Sequence, residues 1–161
     1  MCSGKTTVGE LLSEKLRWRF IDLDKEIENR ESMSIPDIFK TKGEDYFRKL
    51  ELSTLRELSN LDRAVISTGG GLGANPEAMN LMKEKGFVVW LDLSFEEFLK
   101  RCGNDENRPL LKRSIQELRE LFEKRREVYS KAHLHLEPDS PEQLVEKIAK
   151  ARESFPGISQ P

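Results

Sequence analysis

The residues best suited to chemistry begin at the N-terminus. Ser3-Gly4-Lys5-Thr6-Thr7 matches the second half of the pattern G-x-x-x-x-G-K-[ST]. In that pattern backbone N–H groups wrap phosphates, the lysine reaches the β/γ oxygens and the hydroxyl ligates Mg²⁺. Val8, Leu11, Leu12 and Leu16 follow at helical spacing, so the loop runs into a helix whose positive end faces the phosphates. The first glycine of the pattern would fall before Met1, and the strand that feeds such a loop earlier still. G-K-T-T alone is a short signal that chance can produce, so the weight falls on other groups.

Phe20-Ile21-Asp22-Leu23-Asp24 puts two carboxylates at the end of an apolar run. Aspartate is disfavoured in strands, so Asp22 needs a reason to be there. Read as the strand Arg19–Leu23, the period of two turns Asp22 and Asp24 to the same side. Ligands of parallel sheets bind beyond the carboxyl ends of the strands. Asp24 taken alone fits equally well as a cap of the helix that begins Lys25-Glu26-Ile27. The pair beside a phosphate loop suits one carboxylate that helps hold Mg²⁺ through water and one that faces an acceptor hydroxyl.

Two arginines interrupt apolar stripes. Arg48 shares a helical face with Leu52 and Leu55, where a snorkelling side chain is the simpler account. Ile115, Leu118, Phe122, Arg125 and Tyr129 step by three and four, which sets Arg125 in the middle of a core stripe. A buried guanidinium is costly without a carboxylate. That partner comes from the protein or from a ligand, and spacing favours neither. Thr68-Gly69-Gly70-Gly71 follows the apolar run Ala64–Ser67. Glycines at a strand end allow close backbone approach to a ligand, and a plain tight turn is the alternative.

The elements that must position these groups alternate. Arg19–Leu23, Ala64–Ser67, Phe87–Leu93 and roughly Ala132–Glu137 read as strands, and helical patterns separate them. This predicts an α/β fold with a parallel sheet. Asn75-Pro76 opens a helix that Gly86 closes, and Ser34, Ser94 and Ser140 begin others. Asn104–Arg108 is a polar run, read as a surface loop or as a mobile lid. Residues 1–153 are expected to form one domain, and the Pro/Gly-containing tail 154–161 to fray.

Composition narrows the function classes. The chain has 161 residues, a net charge of −2 and interleaved acidic and basic residues. No basic stripe suggests nucleic acid or a membrane surface as partner. Cys2 and Cys102 make neither a disulfide framework nor a metal-ligand spacing, so a reducing cytoplasm is expected. The longest apolar run, Phe87–Leu91, is far too short to span a bilayer.

In order, G-K-T-T, F-I-D-L-D, G-E-D-Y-F-R-K-L-E, S-T-G-G-G, R-P-L-L and R-R-E-V-Y resemble the shikimate kinase family from Met1 to about residue 150. The resemblance implies a P-loop kinase fold of three layers, with a five-stranded parallel sheet of order 2-3-1-4-5. Its first strand has no counterpart in this sequence. It implies transfer of the γ-phosphoryl group of ATP to the 3-hydroxyl of shikimate, in the biosynthesis of aromatic amino acids. Cys2, Ser3, Gly4, Lys5, Thr6 and Thr7 would bind ATP, with Lys5 also acting on the transferring group. Thr6 and Asp22 would hold Mg²⁺, and Asp24 would accept the proton of the attacking hydroxyl. Arg48 and Arg125 would clamp the shikimate carboxylate, and the Gly70 amide would fix a ring oxygen. Arg108 would close over the phosphates from a lid, and Arg101 and the Pro141 region would lie beside adenine. Phe39 and Phe47 would wall the acid pocket, if they are not simply core. Val88–Asp92 also has the form of a strand ending in a metal-side aspartate, but the family places that carboxylate at Asp22. A monomer is expected.

Two other readings remain open on sequence alone. One is a different small-molecule kinase of the same fold, acting on gluconate or a nucleoside monophosphate. The other is an inactive kinase-like binding module, motivated by the incomplete phosphate loop. A regulatory GTPase is disfavoured, because no N-K-x-D motif occurs.

Overall fold

The computed structural model describes residues 4–102 and 114–155, with only the backbone of Arg101 and Cys102. In chain order the elements are α1 (Lys5–Leu16), β1 (Arg19–Asp22), α2 (Leu23–Glu31), α3 (Ile35–Lys42), α4 (Glu44–Leu58) and β2 (Ala64–Ser67). They continue with α5 (Gly70–Gly73), α6 (Pro76–Lys85), β3 (Val89–Leu91), α7 (Phe95–Cys102), α8 (Ile115–Tyr129), β4 (Leu134–Leu136) and α9 (Pro141–Glu153).

Local chemistry sets most helix ends. Asn75 Oδ1 accepts from the Glu77 and Ala78 amides, Pro76 occupies the first helical position, and Gly86 ends α6. Ser34, Ser94, Ser114 and Ser140 each accept a hydrogen bond at Oγ from an amide three residues on. Gly4, at φ 78° and ψ 17°, precedes α1 in the left-handed region, which costs glycine little. β2 spans its predicted range, Ala64–Ser67, while the other strands run shorter than the sequence predicts. β1 stops at Asp22, while β3 and β4 keep only the middles of their predicted runs.

Among the described residues all strand pairing is parallel. β1 pairs with β2 in the register Arg19–Ala64 to Asp22–Ser67, and β3 pairs with β4 from Val89–Leu134 to Leu91–Leu136. These are the outer pairs of the expected order 2-3-1-4-5. Among the described residues β2 and β3 do not pair with each other. A cavity of about 590 Å³ lies where that order puts its first strand, lined by Val8, Leu12, Val65, Ile66, Val89 and Leu91 among others. The Ser67 hydroxyl borders it and is buried without a hydrogen-bond partner among the described residues.

Three apolar clusters hold the layers. Leu23, Ile27, Ile38, Phe47, Leu55 and Leu72 join α2 through α5. Val8 and Leu12 of α1 pack on Leu144, Val145 and Ile148 of α9. Phe95, Phe98, Leu118 and Phe122 join α7 to α8. Each such side chain contributes roughly 1.5–3 kcal/mol when fully buried. Phe155, inside the segment predicted to fray, packs on Phe87 and His133 with ring centroids 5.1 and 4.5 Å away.

Candidate active site

Asp22 is where sequence and structure part most clearly. The strand ends at Asp22, whose Oδ1 accepts from the Asp24 amide at 3.0 Å and the Lys25 amide at 3.3 Å, capping α2. Asp24 therefore stands in the first turn of a helix and does not cap it. The strand-period argument for a shared side does not apply, and Asp24 is placed by the helix start. Both cap bonds fall on Oδ1 of Asp22, which leaves Oδ2 available to a further donor.

Asp24 nevertheless enters a cluster with residues distant in the chain. A Cβ built on Gly69 would lie 3.2 and 3.4 Å from the Asp24 carboxylate oxygens and 3.6 Å from Glu51 Oε2. The glycine turn, Asp24 and Glu51 are thus in contact. Glu51 is 2% exposed and accepts from Arg48 Nη1 at 2.7 Å, one turn along α4. Burial raises the Glu51 pKa against the pull of Arg48, with the nearby Asp24 charge acting in the same direction as burial. Arg48 does not simply snorkel. Its guanidinium packs against Gly71, so closely that any side chain there would overlap it.

Arg125 closes the cluster from α8. It is buried at 8% exposure, as its place in the apolar stripe predicts. Burial lowers its pKa, Arg48 adds to that effect, and Tyr129 and Glu51 oppose it. Two guanidiniums from different helices thus feel each other across one site. An anion between them relieves that repulsion, and a planar carboxylate matches both forks. Tyr129, one turn after Arg125 on the same helix, donates from its hydroxyl to the Gly70 carbonyl at 2.6 Å. Phe39 and Phe47 stack beside Arg48, with its Cζ 5.9 and 5.5 Å from their ring centres. Phe47 is also a core residue at 3% exposure.

Gly4, Lys5, Thr6 and Thr7, the described part of the expected phosphate turn, stand at the start of α1. Lys5, Thr68, Gly69, Gly70 and Tyr129 all border the cavity between β2 and β3. Cys2, Ser3 and Arg108 lie outside the described residues, as does the polar run that would carry a lid. Arg101 lies on α7, close to its C-terminal end.

Asp92, the second-ranked metal-side carboxylate, is otherwise engaged. It accepts from Arg126, from the Leu93 amide at 2.7 Å and pairs with His135 Nε2 at 2.8 Å. Burial acts to raise its pKa, but those hydrogen bonds outweigh it and hold the carboxyl below its usual value. With His135 and Glu137 it forms the one group of three metal-ligating side chains found among the described residues. Thr6 and Asp22 offer the hard oxygen donors that Mg²⁺ prefers.

Sequence reasoning did not single out Glu51 or Tyr129. Glu51 sits one helical turn after Arg48, which is a readable signal for an ion pair. Tyr129 appears only as the last member of the α8 stripe.

A parallel α/β fold, a phosphate-binding turn at a helix start and an acid-and-arginine cleft beyond the strand ends define a P-loop kinase of small molecules. The chain belongs to the shikimate kinase family, whose model matches residues 1–153. It is 54% identical over 149 residues to the shikimate kinase of Aquifex aeolicus, covering 92% of this chain and 89% of that protein. The shikimate kinase of a Sulfurihydrogenibium species is 51% identical over 150 residues, covering 92% and 90%. The crystal structure of the Aquifex aeolicus shikimate kinase superposes with a TM-score of 0.88, at 52% identity, over 96% of this chain and 92% of that one. The Acinetobacter baumannii shikimate kinase in complex with shikimate gives 0.89 at 38% identity, over 96% and 89%. The protein is a phosphotransferase of mixed α/β architecture. Among the described residues no helix is long and apolar enough to cross a membrane.

Proposed function

We propose that this protein transfers the γ-phosphoryl group of ATP to the 3-hydroxyl of shikimate, giving shikimate 3-phosphate and ADP, a step of aromatic amino-acid biosynthesis. The observation that carries the reading is the convergence of Arg48, Arg125 and Asp24 around the glycine turn. That set suits a small polyol bearing a carboxylate. Family membership supports the same substrate.

The proposed division of labour carries over the roles that the family resemblance implies, and the cluster of Asp24, Arg48 and Arg125 supports it. Arg48 and Arg125 receive the carboxylate and so fix the orientation of the ring. The Gly70 amide holds a ring oxygen. Asp24, at the mouth of α2, takes the proton of the attacking hydroxyl. Cys2 through Thr7 bind the phosphates of ATP, with the Lys5 ammonium neutralising charge on the transferring group. Thr6 and Asp22 would hold a Mg²⁺ ion, which supplies charge neutralisation at the β/γ oxygens when bound. Arg101 and Arg108 are assigned to ATP on the resemblance. Phosphoryl transfer needs positioning and electrostatics more than covalent chemistry, and this inventory supplies both. The protein is proposed to act as a monomer in the cytoplasm on small molecules, without nucleic acid or membrane as partner.

The test is ADP release with shikimate, gluconate and nucleoside monophosphates compared as acceptors. Turnover with shikimate alone is expected. Turnover with gluconate or a nucleotide and none with shikimate refutes the assignment. Binding of both ATP and shikimate without turnover points to a kinase-like binding module.

A further inference from the structure

We propose that Tyr129 is a positioning residue that fixes the Gly70–Gly71 peptide of the acceptor site; this rests on the acceptor site proposed above. A phenol offers one O–H donor and an accepting oxygen. The proton goes to the Gly70 carbonyl at 2.6 Å, across 59 residues of sequence. Arg125 stands one turn earlier on α8 and interacts electrostatically with the same side chain. The ring of Tyr129 thus lies between two groups assigned to the acceptor, the glycine turn at a ring oxygen and the guanidinium at the carboxylate.

The seat of the ring is tight. A Cβ on Gly73 would come 3.2 Å from Tyr129 Cε1, and Trp90 lies against the other part of the ring at 5.8 Å between centroids. The Gly70 carbonyl also accepts from the Ala74 amide at 3.1 Å, so the tyrosine adds a second bond to a carbonyl already satisfied by α5. A purely structural role for that second bond is weakly motivated. Fixing the plane of the Gly70–Gly71 peptide matters more, because Gly71 is the residue against which Arg48 packs. Through the Gly70–Gly71 peptide the hydroxyl thus bears on Arg48.

The experiment compares wild type with Tyr129→Phe, which keeps the ring and removes the hydroxyl. Expected is a rise of roughly tenfold in the shikimate KM and in the calorimetric shikimate Kd, the scale of one lost hydrogen bond. The ATP KM is expected to stay within twofold. An unchanged shikimate Kd, with or without a lower melting temperature, overturns the positioning role. So does an equal rise in both KM values. Wild-type protein that neither binds nor turns over shikimate sinks the acceptor assignment itself, which separates the two failures. Should Tyr129→Phe not fold, 3,5-difluorotyrosine at position 129 keeps ring and hydroxyl. Shikimate binding is then expected to weaken across the pH range in which the difluorophenol ionises, since a phenolate cannot donate to Gly70. A flat profile overturns the proposal.

Discussion

Replacing Gly71 by alanine tests whether the acceptor site depends on the packing of Arg48 against the glycine turn. A Cβ at this position would lie 2.7 Å from Arg48 Cζ and 2.8 Å from Nη2, closer than non-bonded atoms approach. Gly71 lies within the short helix α5 and outside the left-handed region, so its backbone accepts alanine. Alanine even gains about 0.5–1 kcal/mol over glycine in a helix. The group that must yield is the guanidinium, the far end of a flexible chain. Moving it lengthens the 2.7 Å pair with Glu51 and turns the fork away from the substrate carboxylate. A hydrogen bond to a charged group is worth about 1.5–3 kcal/mol, so kcat/KM for shikimate should fall roughly 10- to 150-fold. Most of that loss should appear in the shikimate KM, because a grip on the carboxylate acts on ground and transition states alike. Steady-state ADP release with each substrate varied in turn gives the answer, with a thermal melt to show that the fold survives. A shikimate KM within twofold of wild type, in a protein that melts normally, would refute the argument.

Two further outcomes are expected. Asp24→Asn should lower kcat by about 10²- to 10⁴-fold, the usual range for a general base, and an unchanged kcat in initial-rate assays would remove Asp24 from that role. Asp92 has its pKa held below the ordinary value of 3.8, so its partners favour the charged form in the fold. That contribution is complete above the unfolded pKa and is lost as pH falls through the folded one. Asp92→Asn should therefore melt several degrees below wild type at pH 7, with the gap starting to narrow as pH falls below about 4; a gap that does not narrow at all in acid would contradict the linkage.

What the sequence disclosed depended on how local each cause was. Asn75-Pro76 with Gly86, and the serine caps of α3, α7, α8 and α9, are written within a few residues of where they act. Arg125 was legible as a buried charge because three-and-four spacing alone places it between Phe122 and Tyr129. Asp24 was placed for the wrong reason. A two-residue period was carried past Asp22, although the side chain of Asp22 was itself the signal that the strand had ended. Glu51 could have been paired with Arg48 from the helix period, but its burial comes from α2 and the glycine turn, which no local pattern reports. The bond from Tyr129 to Gly70 joins residues 59 apart, and only the packing of α5 on α8 brings them together. The split into two strand pairs was foreseeable only from the family order, since each strand alone carries no information about its neighbour.

The residues assigned to the acceptor stand on α2, α4, α5 and α8, and most of those elements close around one apolar cluster, whereas the phosphate turn heads α1 and is anchored on α9 through another. Donor grip and acceptor choice are thereby separable traits. Natural or laboratory selection can rework the pocket for another hydroxylated acid while leaving the triphosphate grip inherited intact.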